Sequence, residues 1–200
     1  MVRLAKFTDD NIINAAITLV AHCGVASVSI AAIAGKAGAP TGSVYHRFES
    51  RGAILARAWL RVRADFRTQV AGHWSRGQTR DGVDALLAWC RSEPIHAAFL
   101  LQCDDRPVFQ ETLSAELSAA LEAEQAALDQ CFRQCLERIQ QRSTDPELEA
   151  VLRFTLFASP FAMIKPFLLQ DLPIPARIDQ VLRASHDAVL ALDSTPIVSD

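Results

Sequence analysis

Thr41, Gly42, Ser43, Tyr45, His46 and Arg47 fall within the seven residues TGSVYHR, with Ser29 upstream and Arg51 just beyond. Hydroxyls, a phenol, an imidazole and guanidinium groups supply donors and acceptors suited to phosphate oxygens and base edges. Small residues at the start of such a segment let its backbone come close to a partner, as a major groove requires. The chemistry these types and spacings offer is groove reading rather than bond making. No G-x-S-x-G, HExxH or P-loop occurs, and no carboxylates cluster with a nearby histidine.

For these side chains to share one surface they must sit on a short helix held by its neighbours. The sequence has only eight glycines, and apolar residues recur every three or four positions, so the chain is expected to be all-α. Thr8 is placed to cap a first helix with Ala16, Leu19, Val20 and Cys23 on one face, and Gly24 to end it. Ser29 caps a second with Ile30, Ile33, Ala34 and Ala37 inward; Gly38, Ala39 and Pro40 turn the chain; Thr41 opens a third running to about Arg47. In this arrangement Ala34 permits a close helix crossing, Gly38 supplies φ > 0, and Ile33, Ala37 and Val44 face the first helix. Ser50 caps a long fourth helix carrying Ile54, Leu55, Ala58, Trp59, Val62 and Phe66. Further helices are expected at roughly 80–92, 95–103, 107–141, 145–169 and 176–192, with Pro94, Pro107, Pro146 and Pro175 at their starts. Pro160 and Pro166 fall inside an apolar helical pattern, where a kink or break is expected.

Charge divides along the chain. Residues 1–67 hold nine Lys/Arg against four Asp/Glu, and residues 68–200 hold eleven against nineteen, although the whole carries only −3. Such asymmetry points to nucleic-acid or membrane contact for the positive part. Half the residues are hydrophobic, enough for a sizeable core. The apolar stretch Phe154–Leu169, interrupted by Pro160, Lys165 and Pro166, reads as too short to cross a bilayer, and the N-terminus lacks a signal-peptide pattern. Five cysteines without a CxxC fit a reducing cytoplasm, with no metal or cofactor called for. Cys131 and Cys135 lie one helical turn apart without a companion histidine, the pattern of buried filler more than of a sensor.

From Ile12 to Leu55 the sequence resembles the DNA-binding region of TetR-type regulators, through Ala37-Gly38 in the turn, Tyr45-His46-Arg47-Phe48 closing the third helix, and Arg51 opening the fourth. The resemblance implies phosphate contacts from Ser29, Thr41, Tyr45 and Arg51 and base contacts among Thr41, Ser43 and His46, with Gly42 and Arg47 on the same surface. It departs from the family pattern at His46 and Arg47, where an aromatic and a histidine are usual, so the bases read do not carry over. It also implies an N-terminal unit, residues 1–49, holding the helix-turn-helix, and a larger effector-binding and dimerisation domain, residues 50–200. The expected function is a repressor on a palindromic operator, released by a small apolar or amphipathic effector, with no membrane partner. A helical enzyme and a protein-binding adaptor are the alternatives.

For the effector pocket, Trp59, Val62, Phe66, Trp89, His96, Phe99, Cys103, Phe132 and Phe157 are candidates at helical spacing, though the same residues would serve as plain core. For a homodimer interface, the stripe Ile178, Val181, Leu182, Ser185, Val189 and Leu192, facing Phe154, Phe157 and Phe161, is the candidate; such a stripe would also cover its own core.

Overall fold

The computed structural model describes residues 7–103, 113–140 and 147–192, and among these the regular structure is entirely helical. The chain forms two compact units, Met1–Ala64 with Ile95–Glu124, and Asp65–Pro94 with Gln125–Asp200.

In the first unit, α1 (Asp9–Cys23) begins in a reciprocal cap: the Asn11 amide donates to Thr8 Oγ1, and the Thr8 amide donates to Asn11 Oδ1, each at 3.2 Å. Two otherwise orphaned donors are thus satisfied, and Asp9 and Asp10 in the first turn complement the helix dipole. Ile12, Ile13, Ala16, Ile17 and Val20 are buried, whereas Leu19 is half-buried and Cys23 exposed, so the inward stripe lies to one side of the expected face. Gly24 ends the helix at φ 74°, and a 3-10 turn at Val25–Ser27 leads to α2 (Ile30–Ala37). Ser29 Oγ accepts from the Ala32 amide, and Gly38 closes α2 at φ 65°, ψ 20°, where a side chain would be strained. Pro40 leads into α3 (Thr41–Tyr45), shorter than expected because residues 46 and 47 form a turn. Ser50 Oγ accepts from the Ala53 amide at the start of α4 (Arg51–Phe66), whose Ile54, Leu55, Ala58, Trp59 and Val62 are all buried. Most of α7 (Pro94–Cys103) and the first part of α8 (Ala115–Gln140) complete this unit; Ala53 and Ala56 of α4 pack with Leu117 of α8.

In the second unit the chain leaves α4 through a π-helical turn, Arg67–Ala71, into a short α5 (Gly72–Trp74), then α6 (Thr79–Ser92). A Cβ on Gly82 would stand 2.6 Å from Trp74 Cδ1, so glycine is required where α5 lies against α6. The remainder of α8 is followed by α9 (Leu148–Arg153), a π-helical turn at Phe154–Ala158, α10 (Ser159–Leu169) and α11 (Arg177–Leu192). The helix expected to kink or break at Pro160 and Pro166 runs unbroken from 148 to 169. The π turn just before Pro160 changes the ladder where proline lacks its donor, and Pro166 lies inside α10. At 22 residues this helix is, by length and composition, long and apolar enough to cross a membrane, contrary to the expectation from its interrupted second half. Leu148, Leu152, Leu156, Phe161, Ile164 and Leu168 are nevertheless buried, and the segment packs on α6 and α11 as a core helix does.

Helix α11 is tied to α6 by polar contacts. Arg183 Nε donates to Asp84 Oδ1 at 2.6 Å, Arg91 Nη1 to Asp179 Oδ2 at 3.0 Å, and Arg80 pairs with Asp187. The buried His186 places Nε2 3.0 Å from Thr79 Oγ1. The expected helix starts at Pro107 and Pro146 lie outside the described residues.

Candidate nucleic-acid interface

The α2–α3 hairpin is built by burying one side of a very short helix. Val44 is fully buried and Phe48 nearly so, which turns the opposite side of α3 outward: Thr41, Gly42, Tyr45, His46 and Arg47 are exposed, Tyr45 by 61%, and Ser43 is half-buried. A Cβ at Gly42 would meet nothing within 4 Å, and its φ is an ordinary one, so no contact within the chain demands glycine there. Ser29 is exposed with its hydroxyl engaged as the α2 cap.

The arginines are placed differently from their charge count. Arg51 is half-buried, donating from Nε to the Val28 carbonyl and from Nη2 to the Val25 carbonyl, so two of its donors tie α4 to the segment between α1 and α2. Arg47 Nη1 donates to Asp9 Oδ1 at 2.6 Å. Arg57 lies 5.3 Å over the Phe48 ring and reaches Glu49, whose carboxyl is held below its ordinary range chiefly by a backbone hydrogen bond and then by Arg57. Arg61 donates to Asn14 Oδ1 at 2.8 Å and pairs with Asp10, while the buried Arg63 stacks 4.5 Å over Trp59. The five arginines between 47 and 63 are therefore engaged inside the unit. Lys36, in the last turn of α2, is exposed and forms no ion pair among the described residues. The sequence marks it only as a cation off the apolar face of that helix.

The aromatic candidates are divided between the units. Trp59, Val62, Phe99 and Cys103 are buried and His96 half-buried in the first. In the second, Phe66 and Trp89 are buried with ring centroids 5.3 Å apart; the half-buried Phe157 lies 6.1 Å from Phe66, and Phe132 packs beneath Arg153. Trp89 Nε1 donates to Asp65 Oδ2 at 2.8 Å. Phe161 joins the same cluster, 4.7 Å from Phe157. A cleft of about 310 Å³ opens elsewhere in this unit, lined by Arg91, Leu168, Asp171, Leu172 and Ile174, residues that no spacing in the sequence singles out.

Among the interface candidates, Phe154 and Val181 are exposed by 52% and 42% and Ser185 and Val189 are half-buried, whereas Phe161, Ile178 and Leu182 are buried in their own unit. All five cysteines are free thiols. Burial pushes the Cys135 thiol up to about 11 and that of Cys90 up to about 12, against thiolate chemistry. Among the described residues no three His, Cys, Asp or Glu side chains form a group able to hold a metal ion.

Residues 12–58 match the sequence pattern of bacterial regulatory proteins of the tetR family. No curated protein sequence matches the chain. Solved structures of similar fold include a TetR family transcription regulator from Marinobacter aquaeolei VT8, at 14% identity and TM-score 0.67, covering 90% of this chain and 94% of that one. A transcriptional regulator from Rhodococcus sp. Rha1 aligns at 17% identity and TM-score 0.66, covering 94% and 98%. The fatty acid degradation regulator FadR from Bacillus halodurans aligns at 14% identity and TM-score 0.64, covering 92% and 98%. The matched residues span α1 to α4 and contain the outward α3 surface. Residues 12–58 thus match the DNA-binding region of the tetR-family regulatory proteins, and the chain shares the fold of solved TetR-family regulators.

Proposed function

We propose that the protein is a homodimeric repressor of a palindromic operator, with residues 1–49 reading DNA and residues 50–200 serving effector binding and dimerisation. The observation that carries the DNA-reading part is the outward α3 surface of Thr41, Gly42, Tyr45 and His46 above a buried Val44 and Phe48. Thr41, Ser43 and His46 read bases, and Ser29, Tyr45 and Lys36 contact phosphates. Arg47 and Arg51 serve chiefly to hold the unit together, because their guanidiniums are already engaged.

Two copies pair through the helical run 154–169 and α11. The apolar surface left outward there, Phe154, Leu169 and Val181 with the exposed alanines 184 and 188, supports this, and it replaces the buried Phe161, Ile178 and Leu182 as the contact. An apolar or amphipathic effector enters beside Phe66, Trp89 and Phe157, where Phe157 is the ring least enclosed. Its effect reaches the reading surface through α4, whose last residue is Phe66. The five free thiols fit a cytoplasmic setting. Transcription in vitro from a promoter carrying a selected binding site tests the proposal: added protein should lower RNA output, and a bound compound from an apolar and amphipathic library should restore it. Output that rises on adding protein would make it an activator.

A further inference from the structure

Two of the arginines engaged within the first unit converge on neighbouring residues of one helical turn. Asp9 and Asp10 open α1. Asp9 accepts from Arg47, at the end of the turn that follows α3, and Asp10 pairs with Arg61 of α4, which also donates to Asn14 one turn further along α1. We infer that the first turn of α1 is a relay that fixes the pose of α3 to the position of α4, with Arg61 and Arg47 as positioning residues rather than phosphate contacts.

Three features carry the inference. The turn itself is stiff, because Thr8 and Asn11 cap each other across it, so Asp10 cannot be displaced without moving Asp9. Helix α3 has five residues, too few to hold its own geometry, so its pose is set by the buried Val44 and Phe48 and by ties such as Arg47–Asp9. Arg61 also grips α1 at two points, Asp10 and Asn14, which resists rotation as well as translation between the helices. The carboxylates of Asp9 and Asp10 are 58% and 74% exposed, and an exposed pair contributes at most about fivefold to an equilibrium constant. The relay therefore biases the pose of α3 while the unit stays folded without it. As a means of regulation it rests on α3 being the reading helix.

The test uses the full chain and two readouts. The first is amide hydrogen exchange at His46 and Phe48, whose N–H groups bond the Gly42 and Val44 carbonyls at 3.1 and 3.0 Å. The second is affinity for a duplex recovered from a random library by the unaltered protein. Arg61→Ala and Asp10→Asn should each speed exchange at His46 and Phe48 about three- to fivefold, although Arg61 bonds to neither residue, and should weaken the duplex by a similar factor. Arg61→Ala combined with Arg47→Ala should lose no more than about twofold beyond the larger single loss, since both act through one turn. Unchanged exchange in both Arg61→Ala and Asp10→Asn, or losses that multiply in the double variant, would overturn the relay. If the unaltered protein recovers no duplex, DNA reading by α3 fails, and the exchange measurement still decides the relay.

Discussion

Gly42→Ala separates folding from DNA binding. The added methyl meets nothing within 4 Å, and the backbone there is ordinary right-handed helix, so no strain is introduced. Alanine is favoured over glycine inside a helix by about 1 kcal/mol, and near the start of so short a helix by about 0.5 kcal/mol. The variant should therefore melt about 1–2 °C higher, at the 2–4 °C per kcal/mol typical of a chain this size. The same methyl points out beside Thr41 and Tyr45, where the backbone must come close to the duplex. It should weaken specific binding by about 1–3 kcal/mol, roughly five- to 150-fold, the range for losing one good contact. Differential scanning calorimetry and fluorescence anisotropy on one preparation measure both. A lower melting temperature would mean that position 42 is not open in the free protein. Unchanged affinity would mean that the start of α3 does not approach DNA.

Arg51→Ala should destabilise the first unit by about 1.5–3 kcal/mol, because the Val25 and Val28 carbonyls lose a charged donor, and should leave the slope of log K against log salt unchanged; flattening by about two units per dimer would restore a phosphate role. Lys36→Ala should flatten that slope by about one unit per protomer while changing stability by less than about 0.5 kcal/mol; an unchanged slope would remove Lys36 from the interface. Val181→Arg, at a position already 42% exposed, should leave the fold intact and give a monomer by sedimentation, whereas a persistent dimer would move the interface elsewhere. Asp179 is held below the ordinary carboxylate range by its hydrogen bond from Arg91, so its contribution is present above about pH 4 and is lost as pH falls through its lower folded value. Thermal scans should show Asp179→Asn less stable than the parent at pH 7 with the gap closing below about pH 4; a constant gap would assign the loss to packing.

The parts of the fold legible in the sequence are those governed by local chemistry. Thr8, Ser29 and Ser50 each accept from an amide three residues on, and Gly24 and Gly38 take positive φ, so caps and turns could be read from neighbouring residue types. The outward residues of α3 follow from the same locality, once Val44 is assigned to the inside. Arg47 and Arg51 show where that reasoning stops. Their residue type offers a cation to a phosphate, but what binds them lies 38 and 23 to 26 residues away, and nothing local specifies it. Residues of one apolar stripe divide in the same way: Leu182 is buried and its neighbour Val181 exposed, a difference set by how α11 is rotated against α6. Pro160 suggests a break because it lacks an N–H, and the π turn just before it has no sequence period of its own. The cleft beside Leu172 was invisible for a similar reason, as residues from α6, α10 and the loop after it meet only in the folded unit.

The most direct test of DNA reading by α3 is selection of duplexes from a random library, by the unaltered chain and by Thr41→Ala/His46→Ala in parallel, followed by hydroxyl-radical footprinting of the winner. The unaltered protein should enrich an inverted repeat and protect two patches about one helical turn apart, roughly 34 Å. The double variant should keep weak, salt-sensitive binding without enriching that sequence. Enrichment of the same inverted repeat by the double variant, or a single unsymmetrical patch under the unaltered protein, would contradict a paired α3 reading the operator.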